Sequence, residues 1–208
     1  FIPQLKAIKG SFSIDPAVFK DDDESYYMYF GGLWGGQLQR WREGFFNNDE
    51  PESPTAFIPK DHEPALLPVM AKMTDDLLEF AETPKEVQII DENGILLLAG
   101  DNNRRFFEAA WMHKHDNKYY FSYSTGDTHF ICYAVGDNPY GPFTYKGKVL
   151  NPVVGWTSHH SICTIKDKDY LFYHDSSLSK GVTHLRSVKV TEIKYRDDGT
   201  IITVNPYG

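Results

Sequence analysis

A motif that occurs three times constrains this chain more than anything else in it. In each copy an acid or a histidine stands just ahead of an apolar strand, which turns and returns through paired aromatics. The copies are Asp15-Pro16-Ala17-Val18-Phe19 leading to Tyr26-Tyr27-Met28-Tyr29, Glu108-Ala109-Ala110-Trp111-Met112 leading to Tyr119-Tyr120-Phe121-Ser122-Tyr123, and His159-His160-Ser161-Ile162 leading to Tyr170-Leu171-Phe172-Tyr173. Short, evenly spaced strands with aromatic-rich hairpins are the pattern of a propeller whose blades are four-stranded antiparallel sheets. The expected fold class is therefore all-β. Innermost strands of successive blades converge on an axial cavity, so Asp15, Glu108 and His159 should face one cavity although they are far apart in sequence.

The rhythm of the repeats sets the organisation. The interval from Tyr26 to Tyr119 is nearly twice that from Tyr119 to Tyr170, and the excess falls at residues 42–84, which hold Pro51, Pro54, Pro59, Pro64 and Pro68. This reads as a long insertion with one short helical turn at 74–80. A strand at 37–41 is expected to complete the first unit after Gly31-Gly32, and the acidic run Asp21-Asp22-Asp23-Glu24 reads as a solvated hairpin tip. The second unit continues through strands at 130–135 and 144–149, and the third through 184–190 and 199–204. Three units are fewer than the roughly four blades a propeller needs to close. Residues 1–208 thus read as the C-terminal part of a single propeller domain whose N-terminal blades come from outside this chain.

Charge and length exclude several classes. With 29 acids against 21 bases and a net charge of -8, no basic stripe is available to neutralise phosphates, which argues against nucleic acid as a partner. The longest apolar runs, such as 94–99, are strand-sized and too short to span a bilayer. Cys132 and Cys163 sit in predicted strands among apolar neighbours and read as buried structural thiols. A signal peptide is not observable in a sequence that begins at Phe1, so the compartment is unknown, with secreted or periplasmic favoured over cytoplasmic.

The chemistry concentrates where the repeats register. Glu108 lies between Phe106-Phe107 and Trp111, an apolar setting suited to a carboxyl that stays protonated as a general acid. Asp15 occupies the equivalent place in the first unit, and two acids in different surroundings are the pattern of glycoside hydrolysis. Adjacent His159 and His160 point to opposite faces of a strand, so at most one faces the axis, where it could help hold a cation; a satisfied core histidine is the alternative. Trp34, Trp111, Trp156 and Phe107 offer flat surfaces for sugar rings, with core packing the alternative for some of them. Arg186, placed on a predicted inner strand, could bind sugar hydroxyls or pair with an acid, with a plain surface arginine the alternative.

Together, Ser13-Ile14-Asp15-Pro16-Ala17-Val18-Phe19, Gly31-Gly32-Leu33-Trp34-Gly35-Gly36-Gln37-Leu38, Phe107-Glu108-Ala109-Ala110-Trp111, Asn138-Pro139-Tyr140-Gly141-Pro142-Phe143 and Gly155-Trp156-Thr157-Ser158-His159-His160-Ser161-Ile162 resemble glycoside hydrolase family 43, in its β-xylosidase and α-L-arabinofuranosidase branch. The resemblance implies a five-bladed β-propeller of which this chain carries about three blades. It implies inverting hydrolysis of xylo- or arabino-oligosaccharides, with Glu108 as general acid and Asp15 as the carboxylate that tunes the acid and orients substrate. It further implies Arg186 in the sugar subsite and His159, with His160 as the second choice, beside a structural Ca2+ at the axis, no cofactor being required. The family's base lies in an upstream Asp-Pro motif. Ile14 before Asp15, the Gly-Gly-Leu-Trp-Gly-Gly after it and the order of later motifs give Asp15 the tuning role, so the base is expected from outside the chain. The rival reading is a carbohydrate-binding propeller without catalysis, and a ligand-free structural β-domain is a third.

Overall fold

The computed structural model describes residues 3–51, 53, 55–156 and 158–208. Among the described residues, twelve strands form three sheets in chain order. The first sheet runs β1 (Ala17–Lys20), β2 (Tyr26–Phe30), β3 (Val69–Lys72) and β4 (Lys85–Glu86), each antiparallel to the last. In the second, β6 (Glu108–His115), β7 (Lys118–Ser124), β8 (Ile131–Gly136) and β9 (Phe143–Leu150) form an antiparallel meander, and β5 (Ile89–Ile90) joins parallel to β9. The third is β10 (His160–Ile165), β11 (Lys168–Asp175) and β12 (Ser187–Glu192). Among the described residues no helix is long and apolar enough to cross a membrane.

Each sheet starts at one of the three repeats, and the first strands β1, β6 and β10 lie side by side, with β6 in the middle. Alternation along the returning strands supplies the core. Tyr29 and Phe121 are fully buried in a cluster between the first two sheets, and Tyr133, Ile162 and Leu171 in another between the second and third. Burying one such side chain contributes roughly 1.5–3 kcal/mol. Polar ties lock the first two sheets in register: Tyr29 donates to the Pro139 carbonyl at 2.7 Å, Tyr119 donates to Asp21 Oδ2 at 2.6 Å, and Lys114 reaches Asp21 Oδ1 at 2.9 Å.

Several sequence expectations are corrected. Residues 37–41 form no strand; two 3-10 turns, Trp34–Gly36 and Leu38–Trp41, occupy that stretch, and Gln37 between them sits at φ 58°, which an extended strand cannot accommodate. The third strand of the first sheet is β3, directly after Pro68 and inside the expected insertion. Residues 74–80 make a closed turn rather than a helix, because the Thr74 hydroxyl bonds Asp76 at 2.6 Å, Asp76 accepts the Leu78 N–H at 3.1 Å, and Leu77 is left-handed at φ 60°. Residues 94–99 and 199–204 contribute isolated bridges only. Cys132 is buried as expected and Cys163 is exposed, since Ile162 takes the buried face of β10 and the next side chain must take the other. Arg186 precedes β12, the outermost strand of its sheet, and is not on an inner strand. Pro54 and Thr157 lie outside the described residues.

Candidate active site

The site grows from the interlocking of three loops with the head of β6. Gly31 N donates to the Ile14 carbonyl at 2.8 Å, Gly32 N to Ser13 Oγ at 2.9 Å, and Leu33 N to the Phe107 carbonyl at 3.0 Å. This packing explains the glycines: a Cβ at Gly32 would lie 2.7 Å from Ile14 Cγ1, and one at Gly36 the same distance from the same atom. The motifs that flank the two acids are thus one structural unit.

Glu108 opens β6 opposite Ser124, yet Trp111 pairs with Ser122, so Ala109 and Ala110 together face Tyr123. That is a β-bulge, a device that re-aims a side chain. Ala109 takes φ 62° within it, and its N–H donates to Asp15 Oδ2 at 3.2 Å. Asp15 itself is left-handed at φ 58°. Two non-glycine residues in this sparsely populated region, joined by a hydrogen bond, store local strain at the meeting point of two sheets. The contact sets the Asp15 carboxylate against the backbone that carries Glu108, which is 8% exposed.

The other candidates separate. Phe107 is 2% exposed and its ring covers Gly126, where a Cβ would come within 2.3 Å of it; it is a core ring and offers no face to a sugar. Trp34 is 40% exposed beside the loop at Gly32. Trp111 is half-buried and uses its indole N–H to reach the Ile162 carbonyl at 3.0 Å, tying β6 to β10. His160 is the buried member of its pair: its Nε2 lies 2.6 Å from Ser122 Oγ, and burial, assisted by His159 and His113, pushes its pKa well down, so it is neutral. His159 is half-buried at the head of β10. Arg186 is exposed and donates to the carbonyls of Thr183 and Trp156, both at 3.0 Å. The ring of Trp156 meets His129 edge-on at 4.8 Å.

Sequence reasoning missed Ser122 and His129, whose relevance comes only from neighbours remote in sequence. Among the described residues, no group of three or more His, Cys, Asp or Glu side chains could hold a metal. A calcium ion prefers six to eight oxygen ligands, so the residues around His159 do not by themselves fit the ion that the resemblance implies.

An all-β assembly of curled sheets, with two acids brought together where the first strands converge, defines the class; comparison with known proteins gives the family. Residues 2–201 match the family described as "Glycosyl hydrolases family 43", and the chain belongs to it. It is 59% identical to a xylosidase/arabinosidase of Bacteroides ovatus, covering 98% of this chain and 61% of that protein. It is 58% identical to xylosidase/arabinosidase 43A of Humicola insolens, covering 99% of this chain and 63% of that one. Among solved structures, a β-xylosidase/α-arabinofuranosidase from a compost microbial metagenome, in complex with xylotriose and calcium-free, superposes with a TM-score of 0.92 at 61% identity, over 99% of this chain and 62% of that one. The chain spans about three-fifths of the length of these relatives.

Proposed function

We propose that this chain is the acid-bearing part of an inverting glycosidase that releases xylose or arabinose from xylan-derived oligosaccharides. The observation that carries the reading is the Asp15 Oδ2 to Ala109 N–H bond at the bulge beside Glu108. It ties the Asp15 carboxylate to the backbone of the residue that follows the proposed acid, so the two acids share one rigid turn. Glu108 then gives its proton to the leaving glycosidic oxygen. The carboxylate that activates water comes from a part of the protein outside these residues, across the roughly 6.5–9.5 Å gap that inversion requires. Trp34 and Trp156 border the sugar, and Arg186 lies at the same rim through its bond to the Trp156 carbonyl.

The whole domain is read as a five-bladed propeller in which the three sheets seen here are consecutive blades. The far side of the third sheet supports this: Val188 and Val190 on β12 are 80% and 57% exposed, an apolar strip suited to burial by a further blade.

The test is Glu108→Gln in the full-length protein. Hydrolysis of xylobiose, whose leaving group needs a proton, should fall by about 10²–10⁴-fold, while an activated aryl xyloside loses far less. Equal loss on both substrates would assign Glu108 to binding or folding. The second reading is a sugar-binding propeller without turnover, since the residues described here supply the proposed acid and tuning carboxylate but no assigned base. Xylotriose binding by a parent protein that cleaves neither substrate would establish it.

A further inference from the structure

We propose that Asp175, acting through Tyr207, is the positioning residue for the Trp156 side of the sugar site. The inference rests on the reading just given, in which Trp156 and Arg186 border the substrate.

Asp175 ends β11 and is 1% exposed, so its carboxylate must find partners inside the protein. Ser177 Oγ lies 2.9 Å from both of its oxygens, Ser177 N is 3.3 Å from Oδ1, Tyr207 OH is 3.1 Å from Oδ2, and Lys189 Nζ is 3.8 Å from Oδ1. Burial alone would raise its pKa; the Ser177 and Tyr207 hydrogen bonds and Lys189 outweigh it and hold the group ionised below the usual range. A fixed negative charge thus sits under the loop that precedes β10.

Tyr207 carries the constraint to that loop. Its single hydroxyl proton goes to the carboxylate, which leaves the oxygen free to accept the Val154 N–H at 2.8 Å. Val154 is gripped from the other side as well, where Ser176 N donates to its carbonyl at 2.8 Å. The next residue, Gly155, has φ +99° and rests so closely on Ser176 that a Cβ would come within 2.5 Å of its Oγ. Arg186 then holds the Trp156 carbonyl, and Ser158 Oγ donates to the His129 carbonyl at 3.0 Å. Arg186 depends on the same hub, because the segment leading to it is tied back to Ser176 through the Thr183 carbonyl at 3.3 Å. Residues 175–177 and Tyr207, remote in sequence, thus meet at one buried acid, and hydrogen bonds from Tyr207 and Ser176 lead on to the segments that carry Trp156 and Arg186. The Tyr207 ring is 56% exposed, so its contribution lies in the hydroxyl bridge more than in apolar burial.

The experiment uses the full-length protein with Tyr207→Phe and Asp175→Asn, assayed by xylotriose hydrolysis and by calorimetric xylotriose binding. Tyr207→Phe should raise KM and weaken binding on the order of three- to tenfold, the loss of about one hydrogen bond's worth of loop order, with kcat within about twofold. Asp175→Asn should move KM in the same direction and further. Unchanged KM and affinity in Tyr207→Phe, with or without a lower unfolding temperature, would overturn the proposal even if Asp175→Asn fails to fold. A parent that neither binds nor cleaves xylotriose would instead bring down the glycosidase reading, and this inference with it.

Discussion

Gly32 is the point where a single added methyl group should damage the fold and the site together. A Cβ there would sit 2.7 Å from Ile14 Cγ1, 2.8 Å from Ile14 Cδ1 and 3.3 Å from Glu108 Cβ. Gly32 is not among the residues with positive φ, so an alanine meets no backbone strain and the cost is steric. Cγ1 lies near the stem of Ile14, and the isoleucine cannot escape by rotating its tip alone. Overpacking of this kind costs about 1–3 kcal/mol. In a domain of about 150–250 residues each kcal/mol lowers the unfolding temperature by roughly 2–4 °C, and the shift is smaller in the longer full-length protein. The displaced neighbours are the residue before Asp15 and the Cβ of Glu108, so kcat should fall as well. Ile14→Ala removes the obstructing carbons and alone costs about 1–3 kcal/mol, Ile14 being only half-buried. In the double variant the alanine at 32 fills that space, and the combined cost should be smaller than the sum by on the order of 1–2 kcal/mol. Urea unfolding of the full-length parent, both single variants and the double, with kcat on an aryl xyloside, completes the cycle. Additivity within about 0.5 kcal/mol, with kcat unchanged in Gly32→Ala, would refute the claim that these residues are one packed unit.

Two further outcomes follow from buried polar groups. Burial, partly opposed by Asp169 and reinforced by His115, holds the pKa of His113 at about 4, against about 6.5 when unfolded. The folded state thus keeps this histidine neutral: its contribution is complete above pH 6.5 and is lost as pH falls through 4, a swing of about 3 kcal/mol. Urea unfolding between pH 7 and 4 should show that loss, and His113→Gln should flatten it; equal slopes would remove His113 as the cause. Asp21→Ala should destabilise by about 2–4 kcal/mol, because it strips the partner from Tyr119 OH and one of two partners from Lys114 between the first two sheets. A thermal shift under about 1 °C would show that the tie contributes little.

The sequence alone determined the all-β class, the start of each sheet and the pairing of each repeat's first two strands, because period-two burial and tight turns are local properties. Asp15, Glu108 and His159 could be singled out for the same reason: each marks the head of a first strand. What the repeat could not reveal is how chain segments far apart compete for the same space. The 37–41 strand fails because the glycine-rich loop must fold over Ile14, leaving β3, beyond a proline-rich stretch, to complete the sheet. Phe107 reads as a sugar platform in sequence and becomes core because Gly126, in the 3-10 turn between β7 and β8, leaves room for its ring. The bulge at Ala109, the bond from its N–H to Asp15 and the Asp175 hub depend on contacts across the sheets. Such contacts are settled by packing and by the need to satisfy buried polar groups, and neither is written in any single stretch of chain.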